Sequence, residues 1–313
     1  MKLIDLHCDT IDRLMIDREN SSLYQNEFCV DIEKLKKGNS LAQTFALFLD
    51  LDERSNPYEY CNLMADKFYE EINKNKDFIE LATNYEEILA ADKNNKIAAL
   101  LSIEEGAVLE GKIENLNHFY DRGVRMMTLT WNHPNEIGYP NKGDKNEFKG
   151  LTPFGKEVVE KMNELGMLVD VSHLSDAGFY DVASISKKPF LATHSNARYI
   201  TNHKRNLTDD MIKVLANKGG ITGINFCDAF IGNKSPYSNI EDMLKHIKHI
   251  RNIGGIDVLA MGTDFDGIDS KVEIEDISQM NKLVDILERE KFTYDEIEKI
   301  FYKNALRVIK DVL

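Results

Sequence analysis

Short apolar runs that end in polar residues recur along this chain, separated by amphipathic, Lys/Glu-rich segments. That alternation is the pattern of successive β-α units, and it limits the fold more than any other feature. Eight runs read as strands: KLIDLH (2–7), AQTFALFL (42–49), IAALLSI (97–103), VRMMTLT (124–130), MLVDVS (167–172), PFLAT (189–193), GITGINF (220–226) and DVLAMG (257–262). Helices are predicted over 57–76, 113–122, 153–165, 176–186, 208–218 and 239–252, with two more at about 276–289 and 294–311 closing the chain. Thr152-Pro153 and Thr208-Asp209-Asp210 are start signals, and Gly166, Gly219 and Gly254 are expected C-caps. Eight parallel strands with intervening helices favour a closed (β/α)8 TIM barrel over an open doubly wound sheet. The nucleotide-binding alternative also lacks a GxGxxG or P-loop motif. A length of 313 residues suits one such barrel, so 1–313 is expected to be a single domain with long loops near 10–40 and 132–150.

The ends of these strands carry the chemistry. His7 and Asp9 follow the first, Glu104 and Glu105 the third, His173 the fifth, His194 the sixth, and Asp264 and Asp266 the eighth. Barrel strands end at one mouth, so residues scattered along the chain become one cluster. In a strand, residues i and i+2 share a face, so His7 and Asp9 can grip one ion together while Cys8 points into the wall. The same alternation lets only one of Glu104 and Glu105 face the ions. Three imidazoles and several carboxylates suit zinc, and also manganese, iron or cobalt. There are ligands enough for two ions if one carboxylate bridges, with Asp264 left over to move a proton. His118, His246 and His249 fall in helical patterns rich in Lys and Asn and are expected on solvated faces.

Composition narrows the remaining classes. A net charge of −14 argues against a nucleic-acid partner. No stretch approaches the roughly 20 apolar residues of a membrane span, and Asp5 and His7 interrupt the first apolar run before a signal-peptide core could form. Cys8, Cys29, Cys61 and Cys227 are far apart, which fits a reducing compartment. The expectation is a cytoplasmic protein with no membrane partner.

In order along the chain, LHCDT, LLSIEEG, RMMTLTWN, LVDVSHLSD, ATHSNAR, HKRNLTDD, GITGINF and GTDFDG resemble the membrane dipeptidase (renal dipeptidase) family of the amidohydrolase superfamily. The resemblance implies a TIM barrel of the metal-dependent hydrolase type. It also implies two zinc ions and hydrolysis of dipeptides, including ones with a C-terminal D-residue, by a metal-bridging hydroxide. Residue by residue, His7 and Asp9 resemble ligands of the first ion and His173 and His194 ligands of the second. Glu104 is similar to the bridging glutamate, since its interval to TLTW fits the family spacing. Asp264 resembles the acid/base aspartate, and Arg205 the arginine that holds the substrate carboxylate. Two positions depart from the mammalian pattern. Trp131 stands where those enzymes have a histidine that steadies the tetrahedral intermediate, leaving His133, two residues on, as the candidate for that role. Cys227 stands where they carry a tyrosine. The mammalian export signal and lipid-anchor tail have no counterpart in the sequence, so the expectation is a soluble, bacterial-type member, and the resemblance implies a homodimer. The alternatives are hydrolysis of a lactone, cyclic amide or phosphotriester, a metal-dependent decarboxylation, or a ligand-binding barrel without turnover.

Overall fold

A computed structural model describes the chain except for residues 18–20, 144 and 233–236. Its strands are β1 (Leu3–Asp5), β2 (Ser40–Phe48), β3 (Ile79–Leu81), β4 (Ile97–Glu104), β5 (Val124–Thr128), β6 (Leu168–Asp170), β7 (Leu191–Ala192), β8 (Ile221–Ile224), β9 (Tyr237–Ser238), β10 (Leu259–Met261) and β11 (Lys271–Val272). Eight of them, β1, β2, β4, β5, β6, β7, β8 and β10, pair in parallel, and β10 returns to β1 to close a barrel. These are the eight runs expected from the sequence. Strand β3 is additional: it pairs with Ile97–Ala99 of β4, below the point where β5 joins at Leu101. Strands β9 and β11 form a separate two-stranded ribbon in the loops at the mouth.

Two layers of apolar packing follow from strand alternation. Ile4, Ala42, Leu100, Met126, Leu168 and Ile221 form a cluster with Val308, Ile309 and Val312 of the C-terminal helix Asn304–Val312. Phe45, Leu101, Ile103, Met127, Val169 and Ile224 belong to the larger cluster that the surrounding helices cover. Gly223 and Gly262 allow β7, β8 and β10 to approach closely, because a Cβ at either would fall within 2 Å of the Thr193 carbonyl oxygen.

Several local expectations need correction. The segment 10–40 is not simply a loop: helices Thr10–Ile16 and Ile32–Lys37 occupy much of it, with 18–20 outside the described residues. Helix Tyr85–Lys93 was not expected, although Asn84 caps it by accepting from the Glu87 N–H. Gly254 is the last residue of its helix, and Gly255, at φ +84°, takes the left-handed position beyond it. The helix expected at about 294–311 is divided into Tyr294–Glu298 and Asn304–Val312 by a π-turn at Lys299–Lys303. His246 is fully buried instead of solvated. No helix among the described residues is long and apolar enough to cross a membrane.

Candidate metal centre

The backbone at the strand ends aims the side chains. Asp9 N–H donates to the Phe265 carbonyl and Ala46 N–H to the Cys8 carbonyl, extending β1 far enough that His7 and Asp9 share the inner face. Cys8 points the other way, its thiol 3.4 Å from the Thr44 carbonyl oxygen. Glu104 ends β4 facing inward. Glu105 follows at φ +109°, and its carboxylate accepts from the backbone of Ala107 and Trp131 and from the Asn135 amide. Only one of the two glutamates therefore faces the centre. His173 and Asp264 also hold left-handed backbone, at φ +66° and +63°, conformations that cost non-glycine residues energy and concentrate at functional sites.

Glu104 sits at the middle. Its Oε2 lies 3.1 Å from His7 Nε2, and its Oε1 lies 3.2 Å from His173 Nε2 and 3.4 Å from His194 Nε2. His7 Nε2 is also 3.6 Å from Asp9 Oδ1 and 3.9 Å from Asp264 Oδ1. His7 Nε2, Asp9 Oδ1 and Glu104 Oε1 are buried without a hydrogen-bond partner. Buried polar atoms are costly to leave unpaired, so atoms this close but lacking hydrogen-bond geometry are suited to sharing a cation. Their imidazole and carboxylate chemistry fits a divalent transition ion. Ligand atoms of His7, Glu104 and His194, and of His7, Asp9 and Asp264, lie within 4.8 Å of one another in two overlapping groups.

The electrostatics of His173 and His194 agree with that use. Burial, aided by Arg205, drives His173 down to about 4. Burial together with His7 holds His194 well below its ordinary value, so both imidazoles are neutral and offer lone pairs. Burial opposes a charge on His7, yet Glu104 and Asp9 pull it well up. Burial lifts Asp9 to about 7 and Asp264 to about 6 despite the attraction of His7.

A second ring of residues orients the first. Asp170 accepts from Ser172 N–H, Thr193 N–H and the hydroxyls of Thr128 and Thr193. The Thr193 proton therefore goes to Asp170, and the 2.6 Å contact between Thr193 Oγ1 and His194 Nδ1 makes Nδ1 the donor. His194 Nε2 then presents its lone pair toward Glu104. Asn225 Nδ2 donates to Asp264 Oδ2 at 2.9 Å. Gly267 leaves room for the Asp9 carboxylate, since a Cβ there would lie 1.9 Å from Asp9 Oδ2 and displace it. Asp266 turns outward, holding Thr10 and the Cys29 N–H.

Arg205 lies beside this centre. It is buried, donates to Ser195 Oγ and to the His194 carbonyl, and leaves Nε without a partner. Its guanidinium stands 5.3 Å from the Phe230 ring and lines a cavity that reaches His173. His133 stands apart. It pairs with Asp50 at 3.3 Å and Asp52 at 3.6 Å, and it is Trp131 whose ring lies 6.2 Å from that of His173. Cys227 caps the short helix Asp228–Ile231, its thiol 3.7 Å from Ser270 Oγ.

Comparison with known proteins agrees with this architecture. A dipeptidase of Schizosaccharomyces pombe, itself uncharacterized, is 30% identical over 99% of this chain and 80% of its own length. The crystal structure of dipeptidase AC, a metallopeptidase of family M19, superposes with a TM-score of 0.92 at 22% identity, covering 100% of this chain and 98% of the other. A metallopeptidase from Rhodobacter sphaeroides, liganded with a phosphinate mimic of L-Ala-D-Ala, gives 0.91 at 22% identity, covering 100% and 99%. The model of the membrane dipeptidase family matches residues 1–313. With that match over its whole length, the chain belongs to the membrane dipeptidase family, metallopeptidase family M19, whose members hydrolyse peptide bonds.

Proposed function

We propose that the chain hydrolyses dipeptides with a free C-terminus, including those whose second residue is D, and that it does so with two zinc ions or related divalent transition ions. The observation that carries the reading is the Glu104 carboxylate, whose two oxygens face two different sets of histidines. His7 and Asp9 with one oxygen would hold one ion, and His173 and His194 with the other would hold the second. Such ions, when bound, bring the pKa of coordinated water toward about 7 and polarise a carbonyl oxygen.

The chain's own residues do the rest. Asp264, fixed through Oδ2 by Asn225, keeps Oδ1 toward His7. In its ionised form that carboxylate can take a proton from water and pass it to the leaving amine. Arg205 would pair with the substrate's terminal carboxylate. Its Nη2 is bonded to the carbonyl of His194, whose ring faces Glu104, so carboxylate and scissile carbonyl must lie close together. That short span favours dipeptides over longer peptides. The L-Ala-D-Ala mimic bound by the Rhodobacter neighbour supports tolerance of a D-residue. Four unpaired cysteines support a reducing compartment such as the cytoplasm.

The test is release of free amino acids from L,L and L,D dipeptides by protein loaded with zinc, manganese or cobalt, beside a chelated control. Metal-dependent cleavage that fails on C-terminally amidated dipeptides supports the reading. Metal-loaded protein that cleaves none of them overturns it.

A further inference from the structure

The cavity beside Arg205 carries more positive charge than the backbone of a dipeptide requires. It has a volume of about 460 Å³, and Asn132, Asn141, Lys142, Asn202, Lys204 and Arg205 stand on its walls. Among the described lining residues there is no carboxylate, although the chain as a whole carries a net charge of −14. The charge comes from two sides: Lys142 belongs to the loop after β5, and Lys204 and Arg205 to the loop after β7.

The second loop is held in shape. Arg198 forms a bidentate pair with Asp176 at 2.6 and 2.8 Å and donates at 3.1 Å to the carbonyl of Lys204. The His203 ring packs 4.7 Å from Phe230, the same ring that Arg205 overlies. Lys204 Nζ lies 3.6 Å from Glu147 Oε2, with both side chains more than a third exposed. An ion pair that open is weak and can yield to a better placed anion.

Resting on the dipeptidase reading, with Arg205 as the anchor for the terminal carboxylate, we infer that this cavity receives the side chain of the C-terminal residue and selects an acidic one, aspartate or glutamate. A second carboxylate, a few bonds beyond the first, meets Lys142 and Lys204 and the amides of Asn132, Asn141 and Asn202. A cationic side chain in the same position meets like charge. Opposite charges attract more strongly in a partly desolvated cavity than in open water, so discrimination by charge exceeds what shape alone would give.

The test is a series of substrates alike except in charge: Ala-Asp, Ala-Asn, Ala-Ala and Ala-Lys, with the second residue L and D, on the metal-loaded full chain. The expected kcat/KM for Asp exceeds that for its neutral isostere Asn by roughly tenfold or more, with Lys the poorest. Added salt narrows the ratio, as screening requires. In a Lys142→Met, Lys204→Met double variant the ratio falls to about twofold or less. Equal turnover of Asp and Asn, or a preference for Lys, overturns the inference while Ala-Ala cleavage leaves the dipeptidase reading standing. If metal-loaded protein cleaves no dipeptide, the dipeptidase reading falls and this inference falls with it.

Discussion

Thr193 contributes no ligand atom, yet its hydroxyl decides which nitrogen of His194 faces Glu104, because its single proton is committed to Asp170. Thr193→Val keeps the shape and removes that constraint. The expected result is a 10- to 100-fold loss of metal affinity, the usual order for an outer partner of a ligating histidine, measured by competition with a chromogenic chelator. Asp264→Asn should behave in the opposite way. It removes the group assigned to proton transfer, so kcat is expected to fall by about 10²- to 10⁴-fold while metal is retained. The strand-end positions of His7, Asp9, Glu104, His173, His194 and Asp264 were legible because barrel topology brings such positions together whatever their separation in sequence. Thr193, Asp170 and Asn225 were not legible. A threonine, an aspartate and an asparagine in apolar runs carry no signal until the backbone shows which neighbours they meet. For His133, nearness in sequence to the missing family histidine suggests a shared place, and the structure sets it beside Asp50 and Asp52.

Among elements, long regular ones were easier to read than short ones. All eight barrel strands stood out as apolar runs, whereas β3 has three residues, one of them Glu80, and only extends the edge of β4. The helix Ile240–Gly254 was located correctly but its face was not. His246 looked like part of a Lys-rich surface, whereas it lies under the loop after β7, accepting from Ala197 N–H through Nδ1 and donating to the Ile231 carbonyl through Nε2. Polar neighbours in sequence lie on other sides of a helix, so they do not report on the face of the residue between them. Its surroundings predict a pH dependence. Burial drives His246 down to about 4, and protonating Nδ1 would also remove the acceptor for Ala197 N–H. Above the unfolded value of about 6.5 both states are neutral and stability is complete. As pH falls through that value the unfolded chain binds a proton that the folded chain refuses, so stability declines until the folded value is reached, by at most about 3 kcal/mol. Urea unfolding between pH 8 and pH 4 should show a steeper loss for wild type than for a His246→Gln variant, which has no proton to bind.

For the molecule as a whole, the metal centre also constrains the barrel. Its expected ligands and Asp264 come from the ends of β1, β4, β6, β7 and β10, so a bound ion would tie strands from around most of the circumference. Without one, the carboxylates of Asp9, Glu104 and Asp264 crowd together with His7 as the main opposing charge. Folding alone therefore gathers acidic groups that repel, and a cation that binds only the gathered arrangement must stabilise it. At a free metal concentration about 100 times its Kd, that linkage amounts to roughly 2.7 kcal/mol. For a chain of 313 residues the expected shift is a rise in Tm of about 4 °C between chelated and metal-loaded protein, read by calorimetry. Glu104→Gln separates this from nonspecific ion binding. It relieves some of the crowding in the metal-free state and removes the charge that the ions would share, so the variant should lose most of the metal-induced rise. An unchanged rise in that variant would mean that the stabilising ion binds somewhere other than the mouth of the barrel.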